Sequence, residues 1–427
     1  MKSAFFLLHI DIKALLADTS VKGRQEATMK SYRSVVAALL AAGSLVVSPA
    51  LAQDSLRIGA PLPLTGALAP EGAKLKQGYE LWQEKVNAGG GVKAGDKKLK
   101  VELLYYDYQS TTPKAVQLAE KLISDDKVDF LFSPFGSGAT KAVSAVAEKY
   151  GVPLLASSAS SAEVFDQGYK NLFGLYTENS TLSEPIAELI KGKLPNVKRV
   201  AILARNDLYP LSLANEFEKS VKKRGFEVVY FEKYPIGTLD HSSALTQLRA
   251  AKPDWVIVTG YINDLILIRK QAGELKVGGQ VYTMINGPAY KEWIDAVGPL
   301  AENVTTASWF HPVLNYKSED VFGSTQAFVS QFKEKYGVEP DFTQASGAAV
   351  GVILQLAIER AGSKDRNAVR EQLLKGGFKT FFAPISFGPT GMANSYVPPV
   401  FQIQQGQVKV VFPADIATGE FRAAPVN

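Results

Sequence analysis

Apolar residues recur along the chain in two alternating rhythms. The segment 56–62 (LRIGAPL) is a short apolar run of strand length, and 72–87 carries Leu75, Tyr79, Trp82 and Val86 at helical spacing. The alternation repeats, predicting strands over 99–106, 128–132 and 153–156 and helices over 113–124, with Pro113 in its first turn, and 139–150. After Thr177 it restarts, with helices predicted over 182–193, 211–224, 242–251 and 263–272 and strands over 199–203, 227–233, 255–259 and 280–285. Strands separated by helices need crossover connections, which make parallel sheets, so the pattern predicts an α/β protein of two doubly wound lobes. Two longer helical patterns over 318–336 and 344–361, and a Gly, Pro and β-branched tail over 381–411 of strands and turns, complete the chain. None of these makes a domain alone. They fill out the two lobes, so the chain should cross between them more than once.

Length agrees with this division: a single core stops growing near roughly 250–300 residues, and this chain has 427. The surplus of Lys and Arg over Asp and Glu, 47 against 42, is small and not gathered in runs, which argues against nucleic acid as a partner. The absence of cysteine excludes thiol catalysis, thiolate metal sites and disulfides together. The first fifty residues form an address. Met29 is followed by Lys30 and Arg33, an uncharged apolar stretch over 35–47, and Pro49-Ala50-Leu51-Ala52 before Gln53. That is a secretory signal in order, over residues 29–52, and its apolar stretch of 13 residues is shorter than the roughly 20 that span a bilayer. Residues 1–28 read as lying upstream of the true start, and 1–52 as removed on export to the periplasm. Their loss takes six basic residues (Lys2, Lys13, Lys22, Arg24, Lys30, Arg33) and three acids (Asp11, Asp18, Glu26), leaving 41 against 39, and leaves two histidines, His241 and His311. A His-rich metal site is excluded.

Catalytic signatures are missing from the sequence: there is no G-x-x-x-x-G-K-[ST] loop, no G-x-S-x-G elbow and no H-E-x-x-H helix. Gly136-Ser137-Gly138 follows a predicted strand and opens a helix, but Lys141 stands where a dinucleotide fingerprint needs its third glycine. What remains is close backbone approach and a helix N-terminus, which suit an anion such as a carboxylate; an ordinary tight connection is the alternative. Ser157-Ser158-Ala159-Ser160-Ser161 adds hydroxyls after the next strand, or is a solvated loop. Gly89-Gly90-Gly91 follows a helix and reads as a stop. His241, beside Ser242, has no orienting acid near it in sequence and reads as an ordinary residue at a helix start. Ligands of doubly wound sheets bind beyond the carboxyl ends of the strands, which here collects Ser137, the serines of 157–161, Tyr209, Tyr261 and Asn286. This set is rich in hydroxyls and rings and poor in titratable groups, and suits holding a small molecule more than transforming it.

Leu64-Thr65-Gly66, Asn87-Ala88-Gly89-Gly90-Gly91-Val92, Asp107 and Gly168-Tyr169 resemble the branched-chain amino acid type of periplasmic substrate-binding protein, which serves ABC importers, over about residues 56–413. The resemblance implies the type I fold, a monomer of two lobes joined by three hinge crossings, with lobe 1 over 54–176 and 309–383 and lobe 2 over 177–308 and 384–427. It implies that Ser137, Ala159, Ser160 and Ser161 receive a ligand carboxylate, that Tyr209 and Tyr261 are pocket tyrosines, and that Glu71 stands where relatives often carry an aromatic residue. Amino acid binders hold the ligand ammonium with an acid after the strand at 280–285; this sequence has Asn286, which opens aromatic or branched aliphatic acids without an ammonium. The family's usual disulfide is absent. The expected mechanism is hinge closure read by permease subunits, with no cofactor and no metal. Alternatives are a sensor module of the same fold and an exported hydrolase using a Ser and Glu71.

Overall fold

The computed structural model describes residues 55–423. The predicted signal at 29–52 and the upstream segment lie outside them. The first sheet has six strands: β1 (Ser55–Leu62), β2 (Val92–Ala94), β3 (Lys97–Asp107), β4 (Phe130–Phe132), β5 (Leu154–Ala156) and β6 (Leu172–Gly174), in the spatial order β2-β3-β1-β4-β5-β6. All neighbours are parallel except the β2–β3 hairpin at the edge. Between the parallel strands run α1 (Ala69–Ala88), α2 (Thr112–Ser124), α3 (Ser137–Tyr150) and the single turn α4 (Ala162–Phe165). Strand β1 pairs on both sides and is buried over its C-terminal half, which is why it reads as an unbroken apolar run.

The second sheet has seven strands. Its parallel part is β7 (Arg199–Arg205), β8 (Glu227–Tyr234), β9 (Trp255–Thr259), β10 (Val281–Ile285) and β11 (Thr305–Ala307), wound with α5 (Ser180–Lys193), α6 (Leu208–Lys223), α7 (Ser242–Ala250), α8 (Ile262–Glu274) and α9 (Lys291–Val297). Trp255–Thr259 occupies the predicted bounds. Two strands from the tail then extend the sheet, the first antiparallel to β11 and the second antiparallel to the first, so neighbours are parallel only in its core.

After β11 come α10 (Thr325–Tyr336), α11 (Phe342–Ala361) and α12 (Arg366–Lys375). The helix predicted from residue 318 starts seven residues later. Asp320 Oδ1 accepts from the Phe322 and Gly323 amides, Gly323 turns the chain at φ +79°, and the Ser324 hydroxyl accepts from Ala327 N as the cap. Helix α11 is long and apolar enough to cross a membrane, but it is almost wholly buried. It lies against α1, where glycines remove the side chains that would hold the two apart. A Cβ on Gly347 would stand 2.6 Å from Leu75 O, and one on Gly78 would overlap Gln344 O. Trp82 covers Gly351 and donates to Gln355 Oε1 at 3.2 Å. Behind α11, Lys364 bonds Ser55 O and Asp129 and Arg366 bonds the Val128 and Asp129 carbonyls, so this segment is fastened to the first sheet. A short hairpin, β12 (Phe378–Lys379) with β13 (Pro384–Ile385), follows, Met392 bridges Gly174 beside β6, and β14 (Val400–Gln404) and β15 (Gln407–Phe412) join the second sheet. The chain thus passes between the two sheets three times.

The glycine seam makes a testable pair. Gly78→Ala forces a methyl into the Gln344 carbonyl and should cost about 1–3 kcal/mol. Gly192→Ala, in α5 with nothing within 4 Å of the new Cβ, should be neutral or stabilising by up to about 1 kcal/mol. Urea midpoints that move the same way for both would show that the seam is not closely packed.

Candidate functional site

The loop leading into α1 is built by two polar side chains at the end of β3. Asp107 accepts from the amides of Leu64, Thr65 and Gln109 and from the Thr65 hydroxyl at 2.6–3.2 Å. Desolvation works against its charge, yet these donors hold the Asp107 carboxyl below its usual range. Ser110 Oγ accepts from Leu68 N and donates to Thr65 O. Gly72 lies so close to Pro63 O that no side chain fits. The first turn of α1 is thereby fixed, and with it Glu71, which is 6% exposed and whose Oε2 meets no hydrogen-bond donor. Burial drives the Glu71 carboxyl upward, against its own backbone amide and Lys74 one turn on, which favour the anion.

The serine-rich turns after β4 and β5 are laced together. Gly136 N donates to Ser158 Oγ, Ser157 N to Ser133 Oγ, and the amides of Ser160 and Ser161 both donate to Ser137 Oγ at 3.3 Å. Ser137 is the first residue of α3 and fully buried. Ser160 Oγ donates to Asn179 Oδ1 at 2.7 Å, and Asn179 reaches Ser212 on α6, so a polar chain runs from the first sheet's loops to the second's.

From the second sheet come Tyr209 in the first turn of α6, Tyr261 capping α8 and Asn286 after β10, all buried. Tyr261 N donates to Asp264, which binds Arg205 at 2.7 Å, and the guanidinium lies 5.0 Å from the Tyr261 ring centre. Gly136, at φ +86°, has its Cβ position 3.3 Å from the Tyr261 hydroxyl: the missing side chain lets a tyrosine of one sheet touch a turn of the other. Asn286 is held at φ +75°, a strained backbone for a residue with a side chain.

These elements close around a narrow cavity of about 20 Å³, walled by Phe135, Gly136, Ser158, Ser160, Tyr176, Tyr209, Tyr261, Asn286, Trp309 and Phe342. Tyr176 and Trp309 stack at 4.0 Å with planes 3° apart; Phe135 meets Tyr261 at 5.7 Å and Trp309 meets Phe342 at 6.0 Å. Burial pushes the Tyr176, Tyr209 and Tyr261 phenols far above their usual range, so they stay neutral hydrogen-bonding groups. Two polar atoms of the wall, Tyr209 OH and Asn286 Oδ1, are buried without a partner, as are Glu71 Oε2 and Ser161 Oγ outside the lining. Asn286 lies beside Tyr209 and tempers the rise of its phenol, but the two are not within hydrogen-bond geometry.

Of the residues expected at the site, Ser160, Tyr209, Tyr261 and Asn286 line the cavity. Ser137 and Ala159 lie buried behind Ser160, with Ser137 engaged by the 160 and 161 amides, and Glu71 acts electrostatically on Tyr261 from the neighbouring helix. Tyr176, Trp309 and Phe342 were not expected. They sit where the chain passes between sheets or starts α11, away from the strand ends that the alternation marks. His241 is buried against Tyr234 with both ring nitrogens unpartnered, far from a nucleophile's geometry, and among the described residues no cluster of three metal-ligating side chains occurs.

The periplasmic binding protein family model matches residues 55–407. The chain belongs to that family. It is 28% identical over 401 residues, 90% of this chain and 98% of the relative, to the Leu/Ile/Val-binding protein homolog 7 of Brucella suis. In structure it is similar to the leucine binding protein LivK of Thermotoga maritima (TM-score 0.74, 25% identity, 83% of this chain and 97% of that one). It is similar also to the substrate binding protein LivJ of Streptococcus pneumoniae in complex with isoleucine (TM-score 0.73, 26% identity, 87% and 100%). These are periplasmic binding proteins of type I fold, and this chain has that fold.

The buried carboxyl gives the site a pH signature. With its pKa raised in the folded state, Glu71 adds stability below its unfolded value near 4.5 and loses it as pH rises through the folded value. Glu71→Gln removes that loss. The ligand-free variant should melt above the parent at pH 7, with the gap closing in acid toward pH 4; a gap that is constant with pH would show Glu71 to be unperturbed.

Proposed function

We propose that this protein is the extracytoplasmic solute-binding component of an ABC importer, and that it captures a small carboxylate-bearing ligand between its two sheets. Membership of the family and the solute-binding relatives support the class of function. The observation that carries the ligand reading is the cavity itself: an aromatic enclosure from both sheets in which buried polar atoms lack partners. Such atoms cost about 1–3 kcal/mol each when left unpaired, and a bound solute that reaches them relieves that cost. On this reading the anion binds beside Ser160 at the N-terminus of α3, taking up the Ser160 and Ser161 amides and the Ser137 hydroxyl that now bond one another. The aromatic rings supply the apolar remainder.

The three passages between the sheets support a hinge, with lobe 1 over 54–176 and 309–383 and lobe 2 over 177–308 and 384–427. Ligand contacts made from both lobes favour the closed form only when ligand is present. A permease then reads closure, and the periplasmic destination rests on the signal pattern at 29–52. A hydrolytic role for Ser137 has no support: its Oγ faces two amides rather than a base.

A carboxylate bound at 100 times its Kd stabilises the protein by about 2.7 kcal/mol, so melting temperature should rise with branched aliphatic or aromatic acids and not with their neutral amides. Ser137→Ala should weaken the acid about ten- to hundredfold and leave the amide unchanged. Equal affinity of parent and variant for the acid would remove the anion-binding role. Separately, small-angle scattering at saturating ligand should give a smaller radius of gyration than the empty protein; an unchanged radius would contradict closure.

A further inference from the structure

Strand β7 runs between β8 and β9 in the second sheet and ends on Arg205, a side chain only 8% exposed. Burying a cation is costly unless it is paired, and apolar side chains of the same volume would serve folding as well as the pair does. The partners of Arg205 point to another role. Its Nη1 donates to Asp264 Oδ2 at 2.7 Å, and its Nε lies 3.6 Å from Asp207 Oδ2. Each of these carboxylates sits at the start of a helix that brings a tyrosine into the cavity wall. Asp264, in the first turn of α8, accepts from Tyr261 N at 3.2 Å. Asp207, the cap of α6, accepts from Leu208 N, one residue before Tyr209. The guanidinium carbon stands 5.0 Å from the Tyr261 ring centre, and the same ring meets Phe135 at 5.7 Å and Tyr209 at 6.2 Å. Arg205 itself is not part of the wall.

Resting on the solute-binding reading above, we propose that Arg205 is a positioning residue of the site: one buried cation fixes Tyr261 both by its ring and through Asp264, and fixes the first turn of α6, with Tyr209, through Asp207. A guanidinium suits this task because its flat face can lie on a ring while its edge serves two carboxylates, whereas an ammonium is a single point of charge. The hydroxyls of the two tyrosines point where their rings are held, and Tyr209 OH has no partner within the protein. Solute affinity therefore depends on Arg205 although it lies outside the wall.

Two variants separate positioning from a merely structural role. The double variant Arg205→Met with Asp264→Leu removes the pair together, leaves no unpaired charge between Arg205 and Asp264, and should melt within a few degrees of the parent. Arg205→Lys keeps the charge without the fork and covers the case in which the double variant does not fold. Protein labelled with 3-fluorotyrosine, its Tyr261 resonance assigned by Tyr261→Phe, is followed by fluorine NMR without ligand. The parent should give one sharp Tyr261 line, and both variants a split or broadened one as the ring takes up more than one orientation. Titration calorimetry with leucine, 4-methylpentanoate and 3-phenylpropanoate should then show affinity about five- to thirtyfold weaker in the variants for whichever probe the parent binds. A single sharp Tyr261 line in both variants, or affinities equal to the parent's, would overturn the positioning role and leave the carboxylate reading standing. If the parent binds none of the three probes, the carboxylate reading fails, and the Tyr261 line alone decides whether Arg205 holds the ring.

Discussion

The stacked rings of Tyr176 and Trp309 join two stretches of chain that are 133 positions apart, just where the backbone leaves one sheet for the other. Trp309 donates its indole N–H to Thr177 O at 3.3 Å, and Tyr396, on the third passage, donates to Leu175 O. All three passages are thus tied at one point by rings and backbone bonds. The same two rings form the back of the cavity. On the proposed reading, hinge and binding site share atoms, so a solute resting on these rings would touch the elements about which the sheets would turn.

Around that point the two sheets contribute different chemistry. The first supplies turns whose amides and hydroxyls are organised by Ser137 and by the loop that Asp107 holds; the second supplies Tyr209, Tyr261 and Asn286 from strand ends. Lys74 adds a bond across the cleft, from α1 to Glu292 on α9, and lies 4.2 Å from the Tyr290 ring centre. Tyr290 packs on Phe342, which walls the cavity. Polar and aromatic contacts between the sheets are therefore continuous with the space a solute would occupy.

The parallel strands were legible because burial on both faces leaves unbroken β-branched runs, as in Trp255–Thr259. The edge strand β2 and the short β6 and β11 carry three residues each and include Lys93, Gly174 or two threonines, whereas the equally short β4 and β5 are wholly apolar and stood out. The early start assigned to α10 followed apolar spacing and missed the Asp320 turn and the Ser324 cap. At the site, position after a strand located Tyr209, Tyr261 and Asn286, since doubly wound sheets gather those ends. Trp309 and Phe342 had no such marker, because their places follow from how distant segments pack. Glu71 could be singled out by residue type, but its lack of a partner is a property only of the folded chain.

Gly136 sets how closely the two sheets' elements approach at one turn. Its Cβ position is the point at which the Tyr261 hydroxyl of the opposite sheet comes to rest, 3.3 Å away. A methyl group there already crowds the hydroxyl, and any larger side chain would act as a wedge, propping the sheets ajar whatever solute lay between them. One hydrogen atom in place of a side chain lets the two sheets' elements meet at this turn.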